Sequence, residues 1–256
     1  VNQPNTPMQT LPVQNGNKGT WAEVTVPYVT TTLANGPAKS ELLKQHTDTP
    51  FYLYYSQLFW IDELRMVNGK TQYRVTEKHG SPGDIFWCDA SAFRPLLQAD
   101  VQPINPGVAE KRIVINLTNQ TITCFEGKRE VYYCRISSGA KFDASGKAVD
   151  AWSTPVGLYH VVSRKFISLH MANGTAASGY ELFGVSWTSI FASGGVAIHS
   201  TYWHNNYGMP MSHGCVNATP EDARWIFLWT LPEAPYDPGK IEVSGYEGTK
   251  VQVIEV

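Results

Sequence analysis

Apolar and polar residues alternate along much of this chain, with the period of two that is typical of half-buried β-strands. The segment Arg112–Leu117 shows this alternation, and a second alternating segment closes the chain at Lys250–Val256. Further extended segments are predicted at Trp21–Thr32, Thr71–Val75, Asp84–Cys88, Thr121–Phe125, Val131–Ile136, Leu158–Val162 and Gly195–His199. The pattern therefore predicts a mainly β fold.

Turn and helix-boundary residues punctuate these segments. The Asn-Gly pair within Val67–Lys70 favours a type I′ hairpin turn. A short helix is predicted at Ala38–His46. A second helix is predicted to begin at Pro220, because Thr219 can cap it and proline suits a first helical position, and Pro232 should end it.

Clusters of proline, glycine and small polar residues divide the chain into three parts. Residues 1–19 are rich in Asn, Gln, Pro, Thr and Gly without periodicity, and they predict a flexible leader. Residues 20–105 predict a small β-rich accessory domain, whose strand-and-turn rhythm at Phe59–Phe93 resembles a bacterial SH3-like wall module. Gln102–Gly107 holds two prolines and a glycine that cannot continue a regular element, so a second domain is predicted at 106–256.

Composition excludes several classes of protein. The chain has 256 residues, of which 43% are hydrophobic, as expected for a folded globular protein. The net charge is −2 and there is no basic stripe, which argues against nucleic acid as a partner. No apolar run is long enough for a transmembrane helix. The chain begins with Val1 and shows no signal peptide, so we expect a mature or trimmed form.

The four cysteines do not predict disulfides. Cys124 and Cys134 flank a predicted turn and should lie on adjacent antiparallel strands. A loop of even length would point them to opposite faces. A loop of odd length would leave them four residues out of register, or about 13 Å apart, beyond the ~7 Å reach of a disulfide. We therefore expect Cys88, Cys124 and Cys134 to be small buried apolar residues.

The fourth cysteine lies in a different setting. Cys215 stands within Met211–Asn217, whose sequence is Met-Ser-His-Gly-Cys-Val-Asn, and His199 precedes Ser212 by thirteen positions. A thiol is a strong nucleophile as a thiolate, and a nearby imidazole commonly produces that form. Gly214 allows a tight turn that can aim backbone N–H groups at a developing oxyanion. This combination predicts a cysteine acyl-transfer enzyme.

The same residues carry a family resemblance. The segment Ala197–Ser200, followed by Ser212–Asn217, resembles the signature of the L,D-transpeptidase catalytic domain of the YkuD type. Three further segments are similar to other parts of that domain: its opening hairpin at Arg112–Gln120, and its two loops at Ser137–Gly139 and Thr154–Gly157. The resemblance covers about residues 108–256 and does not extend to the accessory domain.

The resemblance implies a fold and an activity. It implies a β-sandwich catalytic domain with one or two helices, in an enzyme of the extracytoplasmic bacterial envelope, either periplasm or cell wall, with any signal or anchor outside this sequence. Such enzymes act on peptidoglycan stem peptides as donor and acceptor, form 3→3 crosslinks through a thioester, and are inhibited by carbapenems. It implies no cofactor, no metal and no transmembrane segment, and we expect a monomer.

The resemblance also assigns roles to single residues. Cys215 matches the nucleophile, His199 its base, and Ser200 the position whose backbone carbonyl orients that imidazole. His213 and Gly214 match the oxyanion and substrate-positioning segment. The residues expected on the substrate side are Asn217, Ser212, Trp187, Tyr202 and His204, of which Ser212 should mainly hold the turn.

A metal site is one alternative use of these residues. His199, His204, His213 and Cys215 offer the nitrogen and sulfur ligands that zinc prefers. Their spacing fits no familiar zinc motif, and no carboxylate lies nearby in the sequence to act as a base.

Other functional classes also remain open. A papain-like peptidase places its cysteine before its histidine, whereas His199 precedes Cys215 here. A sortase would need an arginine after the cysteine strand, and Arg224 lies in the predicted helix instead. An L,D-carboxypeptidase that trims stems by hydrolysis needs the same residues as a transpeptidase. A non-catalytic wall-binding protein would use the aromatic residues alone.

Overall fold

A computed structural model describes residues 4–14, 16–46, 48–143, 145–173, 179–245 and 247–256. Among these, one compact unit takes the residues up to Val101 together with those of Ser168–Val185. The other unit takes those of Gln102–Ile167 and Ser186–Val256. No helix in the described ranges is long and apolar enough to cross a membrane.

The first unit is built on an antiparallel sheet. Its elements are β1 (Val13–Gln14), β2 (Asn17–Lys18), β3 (Thr20–Val24), β4 (Tyr28–Leu33), α1 (Glu41–Gln45), β5 (Tyr52–Tyr54), β6 (Leu58–Val67), β7 (Lys70–Thr76), β8 (Ile85–Asp89) and β9 (Phe93–Pro95). Within the described residues the sheet order is β5-β4-β8-β7-β6-β3-β9, and β1 pairs with β2. Alternate side chains such as Tyr73, Val75 and Phe86 fill the core, as the period of two predicts.

Local predictions in this unit are largely confirmed. Asn68 and Gly69 have φ angles of 49° and 74°, so both central residues of the β6–β7 turn are left-handed, as a type I′ turn requires. Helix α1 is shorter than predicted. Ser40 caps it by accepting from the Leu43 N–H, so the chain before Ser40 stays outside the helix.

Regular structure occurs in the described part of residues 1–19, the segment predicted to be a flexible leader. That part contains β1 and β2, and Leu11 is buried. Asn5 donates its backbone N–H to the Ser91 carbonyl at 2.9 Å. The Met8 N–H donates to the Tyr73 hydroxyl at 2.7 Å. Single long-range bonds of this kind leave no periodic pattern in the sequence.

Two long strands were not predicted. They are β14 (Arg164–Asn173) and β15 (Tyr180–Ile190). The part of β14 from Ser168 onward and the part of β15 up to Val185 belong to the first unit. Phe183 packs on Phe51 with ring centroids 4.8 Å apart. Its carbonyl accepts from Gln57 Nε2 at 2.6 Å. These bonds join residues more than a hundred positions apart, which local patterning does not reveal.

A buried charged cluster also holds β14 and β15 in this unit. His170 Nδ1 lies 2.8 Å from Glu77 Oε2, and its Nε2 lies 3.1 Å from Glu181 Oε1. Burial acts to lower the pKa of His170, but the two carboxylates outweigh it and the pKa is raised. These contacts link both strands to Glu77, the residue that follows β7.

The second unit holds the predicted catalytic segment. It contains the part of β14 up to Ile167 and the part of β15 from Ser186 onward. Its other elements are β10 (Lys111–Asn116), β11 (Thr121–Glu126), β12 (Arg129–Arg135), β13 (Gly157–Val161), β16 (Ala197–Ser200), β17 (Val216–Ala218), α2 (Pro220–Trp229), β18 (Lys240–Glu242) and β19 (Lys250–Ile254). Among the described residues the sheet orders are β12-β11-β10-β19-β13 and β17-β16-β15-β14-β18. The mainly β prediction is thereby confirmed.

Helix α2 begins and ends as predicted. Thr219 Oγ1 accepts from the Asp222 N–H at 3.1 Å, Pro220 takes the first position, and Glu221 and Asp222 occupy the first turn. The helix packs against β16 and β17. It therefore supports the two strands that carry the candidate site.

Two buried lysines stabilise the other end of α2. Lys111 Nζ donates to the Trp229 carbonyl at 2.7 Å, and Lys165 Nζ donates to the Thr230 carbonyl at 2.7 Å. The last turn of α2 carries no basic residue of its own. The lysines supply, from distant strands, the hydrogen-bond donors that the last carbonyls of a helix need.

We predict that Lys165→Met removes a pH dependence of stability. Burial, with the nearby Lys111 charge, lowers the pKa of Lys165 to about 7. The unfolded chain, with a lysine pKa of about 10.4, binds the extra proton between the two values, so this group makes stability rise with pH across that window. Its contribution reaches ~1.4 kcal/mol per pH unit and should be absent in the variant.

The measurement is urea unfolding of both proteins at pH 7, 8 and 9. The exposed Lys128→Met is the matched control and should keep the wild-type slope. Equal slopes for wild type and Lys165→Met would contradict the assignment.

The cysteine predictions are confirmed in outcome and corrected in geometry. All four cysteines are free, and Cys88, Cys124 and Cys134 are buried. Cys124 pairs with Tyr132, and Cys134 pairs with Ile122, so the two thiols share a face and are offset by two residues, not four. A bulge after Cys124 changes the register. The offset corresponds to about 8 Å between Cα atoms, still outside disulfide reach.

Candidate active site

The site is built on the parallel pair of strands β16 and β17. Their register places His199 opposite Asn217 and Ile198 opposite Val216. Cys215 lies in the bend immediately before β17, two residues from Asn217, the strand partner of His199. Strands ~4.8 Å apart and an offset of two residues give about 8 Å between the Cα atoms of Cys215 and His199, within reach of their side chains.

His199 is held in a defined tautomer. Its side chain is buried, and Nδ1 lies 2.8 Å from the Ser200 carbonyl oxygen. A carbonyl can only accept, so the proton is on Nδ1 and the lone pair is on Nε2. The Ser200 hydroxyl is itself paired with that of Ser186. The imidazole is thereby oriented to take up a proton at Nε2.

Burial sets the charge states of the two groups. It lowers the pKa of His199 to about 4, against the bond to Ser200 that acts to raise it. It also raises the pKa of the Cys215 thiol, against a backbone hydrogen bond from Ala197. The pKa of His199 therefore lies well below the ~6.5 of an unperturbed imidazole. Both groups are neutral at pH 7, and the imidazole is a base that awaits a proton.

A network within Ser212–Cys215 holds the cysteine turn. Ser212 Oγ donates to the Cys215 carbonyl and accepts from the Gly214 N–H, the latter at 3.1 Å. Thr154 Oγ1 donates to the Gly214 carbonyl at 2.9 Å. Gly214 has a φ of 119°, which L side chains rarely adopt. Because its N–H is engaged by Ser212, Gly214 does not offer that N–H to an oxyanion as the sequence had suggested.

The loop at Ser137–Gly139 pairs directly with the cysteine segment. Ser137 forms a two-way backbone bridge with Asn217, at 2.8 and 2.9 Å. Ser138 is fixed by Gln120, whose side chain accepts from the Ser138 N–H and donates to its hydroxyl, both at 2.8 Å. Gln120, a buried residue of the first hairpin, was not predicted to support the site, and its sequence neighbours give no signal of it.

We predict that Gly139→Ala disturbs the cysteine turn. An added Cβ would lie 1.9 Å from the Trp152 carbonyl oxygen, 2.7 Å from the Thr154 nitrogen and 3.0 Å from the Gly214 Cα. The backbone must shift, and a shift of about 1 Å at reacting groups can cost ~100-fold in rate.

The measurement is the rate at which a carbapenem acylates each protein, with thermal unfolding in parallel. Gly107→Ala is the control, because no atom lies within 4 Å of its added Cβ, and it should acylate normally. An unchanged rate in Gly139→Ala would show that the loop does not position the cysteine.

The 202–211 loop packs beside the loop at Ser137–Gly139. Asn206 accepts at its carbonyl from Ser137 Oγ at 2.7 Å, and Met211 donates its N–H to the Ser138 carbonyl at 2.9 Å. The loop is therefore anchored to the same segment that pairs with the cysteine turn.

This loop brings an aromatic side chain beside His199. The Trp203 ring centroid lies 5.8 Å from that of His199, and 39% of the Trp203 side chain is exposed. Tyr202 packs edge-on against Trp203 at 4.9 Å. The site prediction included Tyr202 but not Trp203, although the aromatic run in the loop was the available signal.

Trp187 is buried, whereas His213 is exposed. Trp187 is 1% exposed and packs on Phe227 of α2 with centroids 5.3 Å apart, so its assignment to the substrate side is wrong. It is large and apolar, and the interior between β15 and α2 encloses it. Phe191 is also buried. His213 is exposed, with its ring 4.2 Å from that of Trp152.

A cavity with a mixed polar and apolar lining lies next to the cysteine turn. Its volume is about 650 Å³, and its lining includes Ser138, Gly139 and Thr154, which contact that turn. Charged side chains also line it, namely Lys141, Asp150 and Glu255. Lys141 and Asp150 lie in the connection between β12 and β13, and Glu255 lies in the C-terminal segment, so their convergence has no sequence signature.

The contacts of the histidines bear on the zinc interpretation. Among the residues described, no three or more His, Cys, Asp and Glu side chains are arranged to hold a metal. His199 Nδ1 is bonded to Ser200, and His204 is bonded through both ring nitrogens, to Asn206 and Asn217. These contacts do not favour a shared metal.

Comparison with known proteins identifies the second unit. The family model of the L,D-transpeptidase catalytic domain (YkuD) matches residues 110–253. L,D-transpeptidase 1 of Mycobacterium tuberculosis is 30% identical over 86 residues. That match covers 29% of this chain and 32% of the relative, so it spans about a third of the curated protein's length.

Solved structures that match this chain include two L,D-transpeptidases. LdtMt1 in complex with imipenem is 16% identical, with a TM-score of 0.43, and the match covers 98% of this chain and 100% of that one. The catalytic domain of an E. faecium L,D-transpeptidase is 22% identical, with a TM-score of 0.40, over 57% of this chain and 98% of that one. Because the family model matches more than half of the sequence, this chain belongs to the L,D-transpeptidase family.

Proposed function

We propose that this protein is a peptidoglycan L,D-transpeptidase in which Cys215 is the nucleophile and His199 is its base. The observation that carries the proposal is the register of β16 and β17, which pairs His199 with Asn217, two residues after Cys215. The bond from His199 Nδ1 to the Ser200 carbonyl supports it, because that bond leaves Nε2 as the proton acceptor. Family membership supports the class of reaction.

The first half-reaction forms a thioester. As Cys215 Sγ attacks the carbonyl carbon of the L,D bond in a tetrapeptide stem, its proton passes to His199 Nε2. The tetrahedral intermediate collapses with cleavage of the C–N bond. The proton on His199 passes to the departing amine, and D-alanine leaves.

The second half-reaction transfers the acyl group. An amine of a second stem attacks the thioester carbonyl, gives its proton to His199, and forms a new amide as the C–S bond breaks. The thiolate of Cys215 then recovers the proton from His199. Water in place of the amine would instead give a trimmed stem, so acceptor access decides between crosslinking and hydrolysis.

The neutral forms of Cys215 and His199 suit these reaction steps. A neutral imidazole with a pKa of about 4 can accept the thiol proton throughout the neutral range, and its protonated form is a strong acid toward the leaving amine. The exposed Trp203 beside His199 offers an apolar wall for the stem. The proposed location is the bacterial envelope outside the cytoplasm, where the substrate is found, and carbapenems are the proposed inhibitors.

The test is incubation of the protein with a disaccharide tetrapeptide, followed by mass analysis of the products. A 3→3 crosslinked dimer with free D-alanine is the expected result. Tripeptide without dimer would replace the proposal by a carboxypeptidase. Intact substrate, together with no thioester on the protein, would overturn both and leave a wall-binding role.

A further inference from the structure

The contacts of His204 determine the orientation of the Asn217 carboxamide. His204 Nδ1 accepts from the Asn206 backbone N–H at 3.2 Å. A neutral imidazole carries one proton, so that proton is on Nε2 and Nε2 donates. The carboxamide atom of Asn217 that lies 2.8 Å from Nε2 must then be the acceptor. Oxygen and nitrogen exchange places by a half-turn of the amide, so Oδ1 faces His204 and Nδ2 faces away.

The position that faces away has no hydrogen-bond donor beside it among the residues described. Asn217 is 1% exposed, and an oxygen at this buried position accepts no hydrogen bond from those residues. A buried amide group without a partner costs free energy, so such a group points to a ligand. Asn217 lies opposite His199 and two residues after Cys215, where the stem carbonyl would be attacked.

We propose that His204 is a positioning residue that turns Asn217 so that Nδ2 donates a hydrogen bond to a carbonyl oxygen of the stem peptide. The inference rests on the proposed function for the identity of the acceptor. His204 itself then touches no substrate, which replaces its assignment as a substrate-binding residue. Asn217 then has a specific role, in which one N–H of its amide donates to the reacting carbonyl.

The surroundings of His204 keep this arrangement in place. Its ring packs against Tyr207 with centroids 5.8 Å apart and against Trp203 at 6.2 Å. Asn206, which supplies the N–H to Nδ1, is bonded through its carbonyl to Ser137 Oγ. The 202–211 loop therefore fixes the tautomer of His204 through its own backbone.

The test is a double-mutant cycle on the rate of carbapenem acylation. His204→Phe removes the donor and should slow acylation ~10- to 100-fold, whereas His204→Gln, whose amide can donate to Asn217 and accept from Asn206, should stay within about 3-fold of wild type. In an Asn217→Ala background, His204→Phe should have no further effect, because its action passes through Asn217. Alkylation of Cys215 by iodoacetamide should stay unchanged in both His204 variants.

Each outcome decides the proposal. Additive effects in the cycle, equal losses in His204→Phe and His204→Gln, or a parallel fall in alkylation would overturn it in favour of a merely structural role. An independent readout needs no activity: ¹⁵N chemical shifts of the His204 ring should show the proton on Nε2, and a proton on Nδ1 would overturn the proposal. If the wild type is not acylated, the proposed function fails, and the ring shifts still decide whether His204 orients Asn217.

Discussion

Replacement of Cys215 by alanine should abolish turnover of a tetrapeptide stem, with a loss of at least about 10,000-fold, because no other group can form the thioester. The change removes one sulfur atom from a partly exposed side chain. The turn itself is held by Ser212 and Thr154 through backbone atoms of the segment, which the substitution leaves in place. The free energy of unfolding should therefore change by no more than about 1 kcal/mol.

A second cysteine provides the matched control for this prediction. Cys134 is a free, buried thiol in β12, so Cys134→Ala removes the same atom from the core. That variant should lose stability by about 1 kcal/mol while keeping wild-type turnover. Product release measured with both variants separates the two roles. Turnover retained by Cys215→Ala would eliminate the nucleophile assignment.

Replacement of His199 by alanine should slow carbapenem acylation at pH 7 by about 100- to 10,000-fold, the usual contribution of a general base. Burial raises the pKa of the Cys215 thiol, so few molecules carry a thiolate at neutral pH without help. The loss should shrink as pH rises, because hydroxide then produces the thiolate that His199 no longer provides. The measurement is the acylation rate from pH 5 to pH 10, followed by mass.

The wild-type pH profile tests the same assignment from the acid side. A base must be deprotonated to act, and the pKa of His199 is about 4. The rate should therefore stay level from neutrality down to about pH 5 and fall only as pH approaches 4. The exposed His46 offers a control, since His46→Ala should retain the whole profile. An acid limb near pH 6.5, or an unchanged rate in His199→Ala, would contradict a buried neutral base.

Local features of this protein could be predicted from its sequence because local chemistry determines them. The period of two placed most strands of the second unit, and the capping pattern at Thr219 and Pro220 placed helix α2. The β6–β7 turn follows from the left-handed preference of Asn-Gly. The residues of the Cys215 segment were evident for the same reason, since nucleophile, turn and neighbouring histidine are adjacent in the chain.

Features that depend on distant partners could not be predicted in this way. Trp187 is an aromatic residue of the kind that lines binding grooves, and only its contact with α2 shows that it is buried. The lysines that cap α2 come from strands far away in the chain. The pKa of His199 depends on its burial, which its neighbours in sequence do not reveal. In each case the deciding contact joins segments whose separation carries no periodic signal.

Peptide mapping of the protein after reaction with a carbapenem at pH 7 tests the central claim most directly. The account predicts one added carbapenem mass, located on the peptide that contains Cys215 and absent after prior alkylation of that thiol. An adduct on another residue, or an unmodified protein whose Cys215 still reacts with iodoacetamide, would contradict it.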